Sequence, residues 1–581
     1  MSRPRTAIDR SQRLNGLIAL GGIGLLFLCL GGRLVQIQIK QGPDLVAAVE
    51  QQRKGRSIVP ARRGMIFDAC GRVVAASRRQ PDVFVDPALV KDVDEVAEGL
   101  GARLGIEPEA IARKIRQRAS TRYAVVARNV GEVEARALEE MRHVAVGLTD
   151  RSIRTYPLGH SMAHVIGFVG HDGHGLEGIE LAFEEHLAGE DGVRATIRDA
   201  GRRALKRLDR LGTPPIDGGH LVLTLDAEIQ RIVEETLEET IQQFEASSAV
   251  GIVMSPRAGE VLAMACLPAF DPATASSVSS EIRRNRAVTD PVEPGSTFKP
   301  FILAAALDGG FVTLDEVIDC RHGTYSVGGR IIRDVSPHGE LTAAQIVIKS
   351  SNVGMSIIGQ RMGRDALHAA LRRYNFGEPT GIECPGESGG VVFEPHRWTS
   401  YSVTSVPMGY EVGITPLQLI TAFCGIISDG LLLRPTLIKR KLANDGSITE
   451  SFDGPTVLRR ILPVELSRRM SREVLRGVVE EGSGRRAQLE HYSVLGKTGT
   501  AKLTFEDRRG YEPDAYLASF IGAAPADDPQ VAVLVIVRRP NPKLGYYGGT
   551  VSAPAVKSIL GKTLAYLQVP PEEKVVSLAG M

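Results

Sequence analysis

Cysteine is scarce in this chain of 581 residues, with six spread singly as Cys29, Cys70, Cys266, Cys320, Cys384 and Cys424. The C-x-x-C pairs of zinc and redox sites are missing, and the density is far too low for a disulfide scaffold, so neither a metal centre nor an essential disulfide is expected. Charge of one sign is lacking as well: 70 lysines and arginines face 68 acidic residues, a net of +2. That balance excludes the global positive field that marks nucleic-acid binders. Internal repeats and low-complexity tracts are absent. A composition of 43% hydrophobic and 24% charged residues excludes disorder and fibrous folds for most of the chain.

Long apolar runs are missing too, with one exception. From Leu14 to Gly32 no residue is charged, and a helix of that length nearly matches a hydrocarbon core of roughly 30 Å. No small-x-small cleavage site follows, and the bulky Leu28 before Cys29 argues against a lipoprotein signal, so the run reads as a membrane anchor rather than a cleaved signal. Arg3, Arg5, Arg10 and Arg13 precede it, while only Arg33 and Lys40 follow as far as Gln51. The positive-inside rule then puts the N-terminus in the cytoplasm and everything after the helix outside.

The remainder reads as two unlike α+β parts. The first is rich in charge, with short alternating segments such as Arg72 to Ala75 and Val222 to Leu225 and helical patterns near 92–118 and 226–243. Its basic stretch from Arg198 to Arg210 is expected as a solvated linker face. From about Ser248 the texture changes. Val250 to Met254 and Val261 to Ala265 flank a glycine-containing turn, a hairpin signal; Ser493–Thr504, Leu517–Ala523 and Val531–Val537 are further strand candidates. Strands at both ends with helices between predict one antiparallel sheet completed by both ends of the domain, with a helical subdomain against it.

Three short motifs occur in order in this second part. In Glu293-Pro294-Gly295-Ser296-Thr297-Phe298-Lys299-Pro300, the proline suits the first turn of a helix, which places Ser296 at its start and Lys299 one turn on, bringing an amine to a hydroxyl. A lysine pushed towards its neutral form by burial can serve as base for a serine nucleophile; the plainer reading is a capped helix with a surface lysine. Ser350-Ser351-Asn352 ends an amphipathic segment, and Ser350 and Asn352 suit either proton relay and amide recognition or an ordinary helix terminus. Lys497-Thr498-Gly499-Thr500 lies in a strand pattern that could bind an extended peptide and its carboxylate. A phosphate-binding loop would require glycine at 491, where the chain has His491.

S-x-x-K, Ser-x-Asn and K-T-G together are the set shared by penicillin-binding proteins and serine β-lactamases, and their order and separations resemble the transpeptidase domain of class B penicillin-binding proteins. Flanking segments resemble that family too, among them Pro337-His338-Gly339 and Gly413-Ile414-Thr415-Pro416. In the first part the resemblance runs through Arg63-Gly64-Met65-Ile66-Phe67-Asp68, Arg154-Thr155-Tyr156-Pro157 and Gly175-Leu176-Glu177-Gly178-Ile179-Glu180. Two departures stand out: the turn after Asp68 reads Ala-Cys-Gly, and Glu411 stands where a glycine often follows Gly-Tyr.

The resemblance implies a cytoplasmic tail (1–13), a transmembrane anchor (14–39), a pedestal or dimerisation domain (40–243), a penicillin-binding transpeptidase domain (244–568) and a C-terminal tail (569–581). It implies a D,D-transpeptidase of septal wall synthesis, most like the division-specific group, anchored in the bacterial inner membrane with its catalytic domain periplasmic or extracellular. Ser296 would attack D-Ala-D-Ala stem peptides, Lys299 act as base, Ser350 and Lys497 relay a proton and Asn352 hold the acyl chain. Thr498, Gly499 and Thr500 would bind substrate, with the backbone N–H groups of Ser296 and Thr500 as oxyanion hole. It implies β-lactams as ligands, a SEDS-type membrane glycosyltransferase and divisome proteins as partners, and neither cofactor nor nucleic acid. Two alternatives stay open: a β-lactamase or β-lactam sensor with the same nucleophile, although the deacylation signature E-x-x-L-N is absent, and a non-catalytic divisome scaffold, although the motif residues are retained.

Overall fold

The computed structural model describes residues 10–42, 44, 54–198, 204–505, 508 and 510–572. It divides into two units, Met1–Ala61 with Glu190–Ile216, and Arg62–Gly189 with Asp217–Met581.

In the first unit, helix α1 (Arg10–Val35) continues as a wider turn over Gln36–Lys40. Among the described residues this is the one helix long and apolar enough to cross a membrane. It starts at Arg10, so two of the arginines read as tail, Arg10 and Arg13, belong to its first turn. Residues 1–9 of that tail and 573–581 at the other end lie outside the described residues. Lys54–Val59, Gly192–Arg198 and Ala204–Thr213 form a three-stranded antiparallel sheet. The basic stretch expected as a linker is thus mostly strand, with Ile197 opposite Lys206 and Thr196 opposite Arg207; its residues 199–203 lie outside the described ones. A ladder satisfies main-chain N–H and C=O groups and does not require apolar side chains, which is why the charge run misled.

In the second unit, the long strand Val73–Val85 is the spine of a pedestal sheet, pairing with Ile66–Phe67, Ala124–Ala127 and Val146–Thr155. Helices Val93–Leu104, Pro108–Gln117 and Glu132–Met141 bury Val96, Leu100, Ile111, Ile115 and Leu138 in the pedestal core. Ile66–Phe67 pairs with His220–Leu223, which pairs with Ile438–Leu442, a strand from the far end of the chain. Under this sheet Glu180, without solvent exposure, joins Arg63 Nε and Arg154 Nε, each at 2.6 Å. The three segments that carry the pedestal resemblance therefore meet in one buried ion network, in which each charge has a partner and Arg154 also donates to the Gly64 carbonyl at 2.6 Å.

The rest is built on a five-stranded antiparallel sheet of β1 (Ser248–Met254), β2 (Val261–Leu267), β3 (Leu495–Thr504), β4 (Tyr511–Ala524) and β5 (Val531–Arg538), in the order β2-β1-β5-β4-β3. Side chains alternate between faces. Ile252, Leu534 and Ile521 pack into a core shared with a helical section, whereas Val253, Val533 and Phe520 pack into one shared with the two helices at the ends of the domain. Burial on both faces explains the unbroken apolar runs of β1 and β5.

Helix α2 (Ala227–Phe244) is capped by Asp226, which accepts from the N–H groups of Glu228 and Ile229. The same carboxylate takes the Tyr566 hydroxyl at 3.0 Å and the Cys70 thiol at 3.1 Å, so the divergent Ala-Cys-Gly turn is tied to α2. The helical section comprises α3 (Lys299–Asp308), α4 (Ala343–Ile348), α5 (Asn352–Arg373) and α6 (Pro416–Ile427). Helix α7 (Gly548–Tyr566) packs beside α2 on the opposite face of the sheet. Cys266, Cys320, Cys384 and Cys424 are free buried thiols, while Cys29 and Cys70 are free and exposed.

Candidate active site

The site forms where the start of α3, the turn between α4 and α5, and edge strand β3 converge. Gly295–Phe298 makes a 3-10 turn that runs straight into α3, with Pro300 in the first helical turn, where its missing N–H costs nothing. Two glycines hold this turn back to back. Gly295 donates its N–H to the Gly409 carbonyl at 3.1 Å, and a Cβ on Gly409 would fall 2.1 Å from the Gly295 oxygen. Gly499 is equally constrained, because a side chain there would meet Ser519 Oγ at 2.3 Å and Thr297 Cγ2 at 2.8 Å. Helix α3 is apolar all round, and Phe298, Phe301 and Ile302 have no exposed surface.

Lys299 projects from this helix with 0% exposure, and Lys497 from β3 likewise. Lys299 Nζ lies 2.7 Å from the Ser350 carbonyl, 3.3 Å from Ser350 Oγ and 2.9 Å from Asn352 Oδ1, three oxygens of one turn. Lys497 Nζ donates to the same Ser350 Oγ at 3.0 Å and to the Thr498 carbonyl at 3.1 Å. Ser350 thus bridges two buried amines. Burial disfavours the charged forms: it lowers the Lys299 pKa to about 7, against the opposing pull of Asp334. Lys497 is pushed well below the ordinary lysine value by burial and then by the neighbouring Lys299.

Ser296 is half-buried at the turn. Its hydroxyl makes no hydrogen bond among the described residues. Among the described residues Lys299 Nζ makes no hydrogen bond to this hydroxyl and bonds the oxygens of the 350–352 turn, whose carbonyl and amide are stronger acceptors for a buried amine. The turn itself is unusual, for Ser350 sits at φ 60°, in the left-handed region that side chains rarely enter.

On β3, Thr498 Oγ1 lies 2.5 Å from Ser483 Oγ, and Thr500 Oγ1 accepts the N–H of Gly548, the first residue of α7, at 3.1 Å. Thr500 is half-buried and faces the positive end of that helix. Among the described residues β3 pairs on one side only, with Gly499 opposite Ser519 and Thr500 opposite Ala518.

Several contributors escaped sequence reasoning. Asp334 holds the start of α5, accepting from Ser351 Oγ at 2.8 Å and the Val353 N–H at 2.9 Å. It stands in a hairpin with no motif spacing to betray it. Gly409, Ser483 and Gly548 are single small residues whose importance comes from close approach alone. Glu411, noted as a departure, adopts φ 61°, with its N–H on Glu293 Oε1 at 2.9 Å and its carboxylate on Ser402 Oγ at 2.5 Å. These contacts hold a conformation that glycine would adopt freely.

A serine at a helix start, two buried lysines sharing a second serine, and a strand edge bearing hydroxyls define the acyl-transferring class of serine enzymes built on this sheet-and-helix fold. The family descriptions that match are "Penicillin binding protein transpeptidase domain" over residues 249–561 and "Penicillin-binding Protein dimerisation domain" over 58–223. The chain is 32% identical to stage V sporulation protein D of Bacillus subtilis, covering 95% of this chain and 85% of that one. It is also 32% identical to the peptidoglycan D,D-transpeptidase FtsI of Escherichia coli K12, covering 98% and 95%. Among solved structures, penicillin-binding protein 3 of Mycobacterium tuberculosis in complex with aztreonam superposes with a TM-score of 0.69 at 26% identity, covering 89% of this chain and 98% of that one. The chain belongs to the penicillin-binding protein transpeptidase family.

Proposed function

We propose that this chain is a peptidoglycan D,D-transpeptidase of septal wall synthesis and a target of β-lactams, with Ser296 as nucleophile. Ser296 Oγ attacks the penultimate carbonyl of a D-Ala-D-Ala stem peptide and passes its proton to the neutral amine of Lys299. The C–N bond to the terminal D-Ala breaks, and the leaving amine takes the proton that Lys299 received, relayed through the Ser350 hydroxyl with the Lys497 amine beside it, so that Lys299 is neutral again. An amine of a second stem peptide then attacks the ester, and Ser296 Oγ departs with a proton. Asn352 holds the acyl chain. Thr498, Gly499 and Thr500 bind the substrate carboxylate, helped by the N-terminus of α7. The Ser296 and Thr500 N–H groups receive the oxyanion.

The observation that carries the reading is the amine–hydroxyl–amine chain Lys299–Ser350–Lys497, whose two fully buried lysines have one member near neutrality. A base needs a pKa near the working pH, and burial supplies it.

The apolar N-terminal helix and the kinship with FtsI support a membrane-anchored enzyme. The arginine excess before the apolar run Leu14–Gly32 favours a cytoplasmic N-terminus with the catalytic domain outside. The family matches over 58–223 and 249–561 support a pedestal followed by a transpeptidase domain, placed here at 40–243 and 244–568, and the family resemblance supports a SEDS-type glycosyltransferase and divisome proteins as partners. The test is Ser296→Ala: fluorescent penicillin should label the native chain covalently and leave the folded variant unlabelled. Stoichiometric labelling of the variant would move the nucleophile elsewhere.

A further inference from the structure

Asp334 belongs to none of the three motifs, yet it holds the turn that supplies the three oxygens beside Lys299 Nζ. We propose that Asp334 is a positioning residue for the acyl transfer, clamping the Ser350–Asn352 turn, with Ser350 in its left-handed form, against the buried amine of Lys299; this rests on the serine chemistry proposed above.

The clamp has several points of hold. Asp334 Oδ1 accepts from the N–H groups of Asn352 and Val353, and Oδ2 accepts from the Ser351 hydroxyl. The two N–H groups are orphan donors at the N-terminus of α5, where a carboxylate is favoured by the helix dipole, and the Ser351 hydroxyl belongs to the residue that caps the helix through the Gly354 N–H. The preceding residue completes the hold: the Arg333 carbonyl accepts Asn352 Nδ2 at 2.9 Å, which turns Oδ1 of the same amide towards Lys299 Nζ. Ser350, one residue before the clamped pair, is the residue at φ 60°. Released, it would fall back to an ordinary conformation and carry its carbonyl and hydroxyl away from the two amines.

The charge matters separately from the hold. Lys299 and Lys497 face one another, and Asp334 is the carboxylate that favours the protonated form of Lys299. Other titratable groups near Asp334 include Arg333, which precedes it in the chain, and Cys320, a thiol raised mainly by burial and also by Asp334 and Asp319. A negative charge beside a base raises its pKa, so removing the charge should move the acid limb of acylation to lower pH.

The experiment measures the rate of acylation by fluorescent penicillin against pH for the full chain and for Asp334→Asn, Asp334→Glu and Ser351→Ala, with thermal melting as a control for folding. For Asp334→Asn the plateau should fall at least about tenfold and the acid limb should shift down by about one pH unit. Ser351→Ala loosens the clamp with the charge kept, so its plateau should fall with the limb unmoved. Asp334→Glu keeps the charge and displaces it, and should behave likewise. An unmoved limb in Asp334→Asn, or Asp334→Glu at the native rate should the asparagine variant not fold, would overturn the inference. Failure of the native chain to acylate at any pH would instead overturn the serine chemistry beneath it.

Discussion

Substitution of Gly409 by alanine tests whether the nucleophile is positioned by backbone contact. Gly409 has φ 82°, and a Cβ there would lie 2.1 Å from the Gly295 oxygen and 2.7 Å from its nitrogen. Ordinary contact requires over about 3.2 Å, so the two segments must part by about an ångström or the turn must rearrange. The left-handed backbone costs an alanine about 1–2 kcal/mol, and losing the Gly295 N–H to Gly409 hydrogen bond adds about 1 kcal/mol. A loss of about 2–3 kcal/mol should lower the melting temperature by roughly 3–5 °C for a domain of this size. The kinetic effect should be larger than stability suggests, because Ser296 follows Gly295 directly and a misplacement of about 1 Å costs on the order of 100-fold. Acylation by fluorescent penicillin, measured well below the melting temperature, reads this. If the variant melts early yet acylates within about twofold of the native rate, the glycine pair stabilises the fold without placing the nucleophile, and the argument fails.

Acylation should lose its rate on the acid side of pH 7, tenfold per unit, as Lys299 takes up a proton, and a stopped-flow pH profile with a nitrocefin-type β-lactam would check it. The same group makes stability rise with pH, because between about 7 and the ordinary lysine value near 10.4 the unfolded chain binds the proton that the folded chain does not; a denaturant titration series at pH 7 to 9 reads the sign. Glu180→Ala should cost about 3–5 kcal/mol by stranding two buried guanidinium groups, with surviving folded protein still acylating; a melting shift below about 2 °C would contradict the network's role. Replacing Cys70, Cys266, Cys320, Cys384 and Cys424 by serine or alanine should leave acylation measurable while lowering stability at the four buried positions, as labelling and melting would show.

What the chain's letters disclosed follows from how local each signal is. The hairpin of β1 and β2 and the strand patterns of β4 and β5 were legible because apolar runs bounded by glycine and proline are local. Pro300 located the helix start for the same reason. Contacts made across space were not legible. Asp334 reaches the Ser350–Asn352 turn from a hairpin that neither periodicity nor composition links to it, and the lysine amines point at the 350–352 oxygens because of packing around α3. The strands over Lys54–Val59, Gly192–Arg198 and Ala204–Thr213 were hidden by their charge, since their ladder uses backbone groups common to every residue. Ile438–Leu442 was hidden by its distance along the chain from His220–Leu223.

That last strand has a mechanical meaning. The chain leaves the pedestal sheet after Leu223, builds β1, β2 and the helical section, and returns to lay Ile438–Leu442 alongside His220–Leu223 before going on to β3. The pedestal and the catalytic sheet are therefore stitched together rather than strung in series. A pull along the pedestal loads Ile438–Leu442 in shear, where several backbone hydrogen bonds must yield together, instead of stretching a slack tether. Cutting the chain just before β1 would bare one edge of that strand to water and to other chains. A shortened enzyme that keeps its native lattice of strands must begin ahead of His220, with its partner strand still attached.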